Sequence, residues 1–268
     1  MKLHTCLTIA GSDCSGGAGI QADLKTMTVN GVYAMSVITA LTAQNTMGVN
    51  GILDIDPTFI KAQLDAVFGD IPPEAVKLGM LSDSGAMTVI ADALTQYHAH
   101  NIVVDPVMVS TSGCLLMKKE AVSTLQDKIL PLADLITPNI QEAEVLWGKK
   151  ITTDEDVIQA AKDLAKTYGC AVLVKGGHRR DNADDLLYVD GKIVRFTQQR
   201  IHNPNTHGTG CTLSSAIAAF LAKGVTMSEA VGQAKKYING ALAAMLDLGH
   251  GDGPLHHAYN INKEEENV

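Results

Sequence analysis

The feature that most constrains this chain is an alternation of short apolar runs with longer segments of helical period. Nearly unbroken apolar runs occupy 6–10, 36–41, 76–79, 102–105, 135–137 and 171–175. Continuous apolar runs of this length fit strands covered on both faces. Between them, 18–29, 58–68, 84–97, 118–129, 141–147 and 154–168 carry helical spacing, with Asp154 placed to start the last. The alternation predicts a mainly parallel sheet with helices on both sides. After Lys175 the pattern changes. Segments 186–189 and 193–196 flank Asp190-Gly191, the signature of a tight hairpin, and helical segments 212–222 and 228–246 follow. No linker, repeat or low-complexity stretch interrupts the pattern. We therefore expect one domain over 1–268, with 259–268 as a polar tail containing Glu264-Glu265-Glu266. In open α/β sheets, ligands bind beyond the carboxyl ends of the strands. The residues just after each strand are the ones to inspect for chemistry.

Composition narrows the partners. Hydrophobic residues make up 46% of the 268 and aromatics only 4%, so the core must be aliphatic. The net charge is −8, and basic residues come at most two in a row, as at Arg179-Arg180. That balance argues against nucleic acid and against an anionic membrane as partners. No apolar run reaches the roughly 18 residues of a membrane span. The start, Met1 to Ala10, reads as a buried first strand rather than a signal peptide, because Gly11-Ser12-Asp13 ends it early. Cys6, Cys14, Cys114, Cys170 and Cys211 are odd in number and lack any CxxC pair. They read as reduced thiols of a cytoplasmic protein, with no zinc site.

Five segments stand where chemistry is expected. Gly11-Ser12-Asp13-Cys14-Ser15-Gly16-Gly17-Ala18-Gly19 is glycine-rich and opens a helix, which suits close approach of the backbone to a ligand; a tight strand-to-helix turn explains it equally. It matches neither a dinucleotide-binding nor a Walker fingerprint. Thr42-Ala43-Gln44-Asn45-Thr46 offers an amide, acceptor and donor together, that suits an aminopyrimidine edge; a loop amide satisfied by its neighbours is the plainer reading. Asp105, at the end of Val103-Val104-Asp105-Pro106-Val107-Met108, can position a metal or phosphate, or cap a turn. Asn139 and Glu142 form either a capping box or a pair of groups facing hydrated Mg²⁺. The most informative segment is Thr206-His207-Gly208-Thr209-Gly210-Cys211-Thr212, which opens an alanine-rich helix. Small residues there expose backbone N–H groups at the positive end of the helix dipole, forming an anion hole. Cys211 lies in the first turn, where it can serve as a base or nucleophile, while a buried inert thiol is the alternative. His207 reads as structural.

Together these segments, with Val174-Lys175-Gly176-Gly177-His178, resemble the ribokinase-like superfamily, and within it the hydroxymethylpyrimidine/phosphomethylpyrimidine kinases of thiamine biosynthesis. Six motifs in the family's order span nearly the whole chain. The resemblance implies an α/β, ribokinase-like three-layer sandwich with a mainly parallel central sheet. It implies two successive phosphorylations, of the hydroxymethyl group and then of the monophosphate, with ATP as co-substrate and Mg²⁺ as cofactor. It also implies that Gln44 reads the pyrimidine, with Gly11, Ala18, Asp23, Met80 and Val107 around it. Asn139, Lys175 and Thr209 would serve the nucleotide, Glu142 and Asp105 the metal, and Cys211 with Gly208 and Gly210 the chemistry. Most of the superfamily has an aspartate base where this chain has Cys211. The segment 110–114 departs from the lid usual in the family. A homodimer is implied too. The nearest rival is a pyridoxal kinase of the same subfamily, against which Gln44 within Ala-Gln-Asn-Thr argues. A non-catalytic sensor and a cysteine hydrolase are further rivals. A sensor need not keep a base, and a hydrolase needs a His–Cys pair in contact.

Overall fold

The computed structural model describes residues 2–108, 117, 119–176, 184–198 and 201–261; the expected lid at 110–114, with Cys114, lies outside them, as do 262–268. The described residues form one nine-stranded sheet. In chain order its strands are β1 (Thr5–Asp13), β2 (Tyr33–Asn45), β3 (Gly48–Asp54), β4 (Ala75–Leu78), β5 (Ile102–Val104), β6 (Leu135–Ile136), β7 (Ala171–Val174), β8 (Asp185–Val189) and β9 (Lys192–Phe196). Their spatial order is β3-β2-β1-β4-β5-β6-β7-β8-β9. From β2 to β7 every pairing is parallel, and β3, β8 and β9 pair antiparallel at the edges.

The helices are α1 (Gly19–Val29), α2 (Pro57–Asp70), α3 (Ser84–Gln96), α4 (Lys119–Thr124), α5 (Ile140–Trp147), α6 (Asp154–Tyr168), α7 (Thr209–Ala222) and α8 (Met227–Ala243). They divide between the two faces as the strand alternation dictates. Leu7, Ile9, Val76, Leu78, Ile102 and Val104 meet α2 to α6 in one core, while Cys6, Ala75, Val103, Leu135 and Leu173 meet α1, α7 and α8 in the other. The start signals are the ones expected from side-chain chemistry. Thr153 and Thr226 cap α6 and α8 in full capping boxes. Asp56 and Asp83 cap α2 and α3.

Three expectations need correction, and one strand, β3, was not anticipated. Strand β3 carries no apolar run, because its GVNGILD sequence lies on an open edge and never needed one. The expected helix at 118–129 is broken: α4 passes into one π-helical turn, Leu125–Ile129, then a 3₁₀ turn that starts before Pro131. Helix α8 stops at Ala243, followed by Met245 with φ of 51°. Tyr259 does not belong to a polar tail, because its ring packs 5.8 Å from that of Tyr237.

The chain runs from β1 to β2 on one side and later returns to β4 on the other. The carboxyl ends of β1 and β4 therefore bound a topological switch point, the crevice where open sheets bind ligands.

Candidate active site

At the β1 end, Asp13 is a hub. Its Oδ1 accepts from Ser15 N at 2.9 Å and Ser15 Oγ at 2.7 Å, and its Oδ2 from Gly17 N at 3.1 Å and Ala18 N at 2.8 Å. His207 Nε2 lies 2.9 Å from the same Oδ2, although the two residues are 194 apart in sequence. Burial pushes the Asp13 carboxyl up, but the hydrogen bonds from His207, Ser15 and the Ala18 and Ser15 amides hold it down to about 2. The glycine-rich stretch is thus a loop wound around one carboxylate. Two of its glycines are required by space. A Cβ on Gly17 would lie 2.4 Å from the His207 ring, and one on Gly208, whose φ is +82°, would lie 1.9 Å from Gly17 O.

Gln44, half-buried near the end of β2, faces this loop. Its amide lies 3.2 Å from Thr42 Oγ1 at one end and 3.2 Å from His207 Nε2 at the other. Cys14 Sγ bonds its backbone. Gly11 and Met80 touch across the β1/β4 crevice, where a Cβ on Gly11 would meet Met80 Cε at 2.7 Å. Ala18 abuts Gly208, with its Cα 3.3 Å from the Cβ position there. Val107 is half-buried past the end of β5.

The second group lies under α7. Continuing the alternation from Ala75, Val103, Leu135 and Leu173 brings Lys77, Asp105, Thr137 and Lys175 to the same face of the sheet. Asp105 Oδ1 accepts from Lys175 Nζ at 2.6 Å and from Thr137 Oγ1 at 3.1 Å. A Cβ on Gly210 would be 3.1 Å from Asp105 Oδ2 and 3.5 Å from Lys175 Nζ, so the first turn of α7 rests directly on this pair. Glu142 Oε2 is 3.9 Å from Lys175 Nζ. Asn139 and Glu142 do form the reciprocal capping box, at 2.8 and 2.9 Å. Glu142 is nevertheless more than a cap: burial, against the pull of Lys175 and with the push of Asp105, raises it to about 7.

Helix α7 starts at Thr209 with Gly208 in the left-handed region and no side chain capping it. Thr209 Oγ1 is turned back to Thr206 O at 2.6 Å. Cys211, in the first turn, is pushed up to about 11. Burial is the main cause, opposed by Lys77, reinforced by Asp23 and Asp105, and eased by a hydrogen bond from the Gly19 backbone. The competition between helix dipole and surroundings thus ends with a protonated thiol.

Asp23 is not on the cleft wall. It has no exposed surface and accepts from Lys77 Nζ at 2.7 Å and Thr8 Oγ1 at 2.6 Å. A side chain so enclosed cannot touch a substrate in this conformation; it holds Lys77, itself fully buried. The sequence reading missed Lys77, although a lysine inside the apolar run Ala75-Val-Lys-Leu78 was the signal, since a central parallel strand has no wet face. It also passed over Asp13, and it left His207 as a structural residue without its two partners.

A parallel sheet with its switch point beside an uncapped helix start, over buried lysine–carboxylate pairs, defines the class: small-molecule kinases of the ribokinase-like fold. The family model described as phosphomethylpyrimidine kinase matches residues 13–256, and the chain belongs to that family. It is 50% identical over 262 residues to a hydroxymethylpyrimidine/phosphomethylpyrimidine kinase of Rhizobium meliloti, covering 96% of this chain and 98% of that one. It is also 50% identical over 252 residues to the thiamine biosynthesis bifunctional protein ThiED of Geobacter sulfurreducens, covering 94% of this chain but spanning about half, 51%, of that longer relative. Among solved structures, the phosphomethylpyrimidine kinase of Clostridium difficile 630 superposes with a TM-score of 0.81 at 46% identity, over 89% of this chain and 99% of that one. An ADP complex of Bacillus subtilis pyridoxal kinase gives 0.89 at 36% identity, over 96% and 98%.

Proposed function

We propose that this protein transfers the γ-phosphoryl group of ATP to the hydroxymethyl group of 4-amino-5-hydroxymethyl-2-methylpyrimidine, and then to the monophosphate, supplying the diphosphate for thiamine diphosphate biosynthesis. The observation that carries the reading is the seating of the Gly208–Cys211 turn on the Asp105–Lys175 pair. Phosphoryl transfer asks mainly for alignment and charge neutralisation. The Gly210 and Cys211 amides sit at the positive end of α7, where a moving phosphoryl group gains most. Lys175 lies under the same turn and neutralises nucleotide phosphate, with Asn139 and Thr209 beside the nucleotide.

Glu142 and Asp105 fit a magnesium ion. They are two hard oxygen donors close to one lysine, and a buried carboxylate raised to about 7 gains from a nearby cation. Among the described residues no group of three or more metal-ligating side chains occurs, so phosphate and water would complete the shell. Bound there, Mg²⁺ supplies charge neutralisation on the phosphates.

On this reading Gln44 reads the pyrimidine, and Gly11, Ala18, Met80 and Val107 frame the ring. Cys211, in the small fraction present as thiolate, takes the proton of the alcohol as the alcohol oxygen attacks phosphorus. A homodimer is the oligomer we expect, formed at the β2–β3 edge, where Leu41, Met47, Ile52 and Leu53 are exposed. The cytoplasm is the expected compartment.

Pyridoxal phosphorylation is the second reading, favoured by the superposition on the Bacillus subtilis pyridoxal kinase. Supplying the pyrimidine alcohol, its monophosphate and pyridoxal separately with Mg-ATP, and following ADP, separates the two. We expect turnover of the first two, abolished by chelation and restored by Mg²⁺. Turnover of pyridoxal alone would reassign the chain.

A further inference from the structure

The Gln44 side chain sits between two groups whose hydrogen atoms are already committed. Thr42 Oγ1 lies 2.9 Å from Ser12 O, an acceptor only, so its one proton points there. The hydroxyl also faces Gln44 Oε1 at 3.2 Å, but Ser12 O is the nearer acceptor, and with the proton there Oγ1 can only accept from Gln44. At the other end, His207 Nε2 lies 2.9 Å from Asp13 Oδ2. Asp13 also takes two backbone N–H groups on that oxygen and is ionised, so His207 Nε2 must carry the proton. That single proton points at Asp13, the nearer acceptor, and Nε2 then keeps no lone pair, so toward the Gln44 amide 3.2 Å away it offers at most the weaker arm of a shared bond and can face only an oxygen. The structure has Gln44 Nε2 toward His207 and Oε1 toward Thr42, which sets two donors against each other at one end and two acceptors at the other, so the two ends of the amide are to be exchanged. The ends of an amide are assigned by counting donors and acceptors around it. Both neighbours demand the same answer: nitrogen to Thr42, oxygen to His207.

We infer that Asp13, His207 and Thr42 together lock the Gln44 amide in a single orientation, making His207 and Thr42 specificity-determining positioning residues. One N–H and one oxygen lone pair then remain for the substrate, each at a fixed end. This rests on the reading of Gln44 as the group that meets the pyrimidine edge. A 4-aminopyrimidine presents a ring acceptor beside an N–H donor. Its 4-oxo counterpart presents a ring N–H beside a carbonyl acceptor, the inverse pair. A locked amide matches one and opposes the other; an amide free to rotate by 180° can match both.

The test is the ratio of kcat/KM for 4-amino-5-hydroxymethyl-2-methylpyrimidine to that for the 4-oxo analogue. We expect wild type to favour the amino compound by about a hundredfold or more, since a polar site rejects an analogue that leaves its groups unpaired. His207→Leu and Thr42→Val should each lower that ratio at least about tenfold, chiefly by making the 4-oxo compound a better substrate relative to the amino one. Thr42→Ser, which keeps the acceptor, should retain it. Should His207→Leu fail to fold, Thr42→Val decides, because it preserves shape. A merely structural role would depress both substrates alike and leave the ratio intact, and that result overturns the inference. So does a wild type with no preference. Gln44→Leu is the control. If it keeps the preference, the pyrimidine reading of Gln44 is wrong; if it loses the preference while His207→Leu and Thr42→Val keep it, the lock alone is wrong.

Discussion

The two ends of the cleft are built from different physics. Around Gln44 the working group is a neutral amide, half-buried, held by single hydrogen bonds to Thr42 and His207. Under α7 the groups are ionisable and largely enclosed: Lys77 with Asp23, Lys175 with Asp105, and Glu142 near the second pair. Neutral hydrogen-bonding groups discriminate between ligands because a mismatch leaves a polar atom unpaired. Buried charges do little discriminating, but fixed in a low-dielectric site they act strongly on charge that develops nearby. The difference teaches that, on the proposed function, selection of the substrate and acceleration of its reaction would be divided between separate parts of the molecule.

The largest effect that can break this division is expected at Cys211. As a base for an alcohol, its loss in Cys211→Ala should lower kcat on the first substrate by roughly 10²–10⁴-fold. The monophosphate carries its own anionic oxygen, with a second pKa of about 6, and should be far less affected. Because the thiol is raised to about 11, first-step activity in the wild type should climb with pH as the thiolate fraction grows, while the second step stays flatter. Initial rates with each substrate across pH decide it. Equal losses on both would make Cys211 a phosphate-positioning group.

Next in size is Lys77→Met. Removing the cation leaves Asp23 buried, with Oδ1 already lacking any hydrogen-bond partner. Losing one partner of a buried ion pair costs about 3–5 kcal/mol. Urea denaturation of the variant should show a loss of that order, and Lys77→Met with Asp23→Asn should recover part of it. A loss under about 1 kcal/mol, as at an exposed pair, would show that the charges under α7 are not enclosed as described.

The smallest expected effect sharpens the comparison within the charged end. Glu142 has an ordinary value of 4.5 and is raised to about 7 in the fold, so the folded state binds its proton more tightly. Its contribution is therefore complete below about pH 4.5 and is lost as pH rises through about 7. Thermal melts should show stability declining across that window in the wild type, and a flatter profile in Glu142→Gln. Identical profiles would reduce Glu142 to a helix cap.

Much of this architecture was legible because burial on both faces writes itself into sequence. The central strands, helices α1 to α3 and α5 to α8, and the Asp190-Gly191 hairpin, where both residues take positive φ, follow from period and turn chemistry. Strand β3 was not legible, since an edge strand is specified by its pairing with β2 and not by an apolar run. The motifs around Gln44, Asp105, Asn139, Lys175 and Cys211 stood out as segments. Their grouping did not, because it depends on which strands end side by side. Lys77 and Asp13 act through partners 54 and 194 residues away, Asp23 and His207, and nothing local signals such pairings.

The contact between Gly208 and Gly17 has a consequence for how such a molecule can change. A side chain at Gly208 would drive its Cβ to within 1.9 Å of the Gly17 carbonyl, and one at Gly17 would strike the His207 ring. At Gly208 the obstacle is backbone and no side chain is accommodated without moving it; at Gly17 a side chain would have to displace the His207 ring. The turn that opens α7 and the loop around Asp13 are therefore packed against each other backbone to backbone, with no room for a side chain at Gly208. On the proposed function, variation that alters what this enzyme accepts would enter through side chains beside that contact, such as those at 44 and 107, and leave the contact itself untouched.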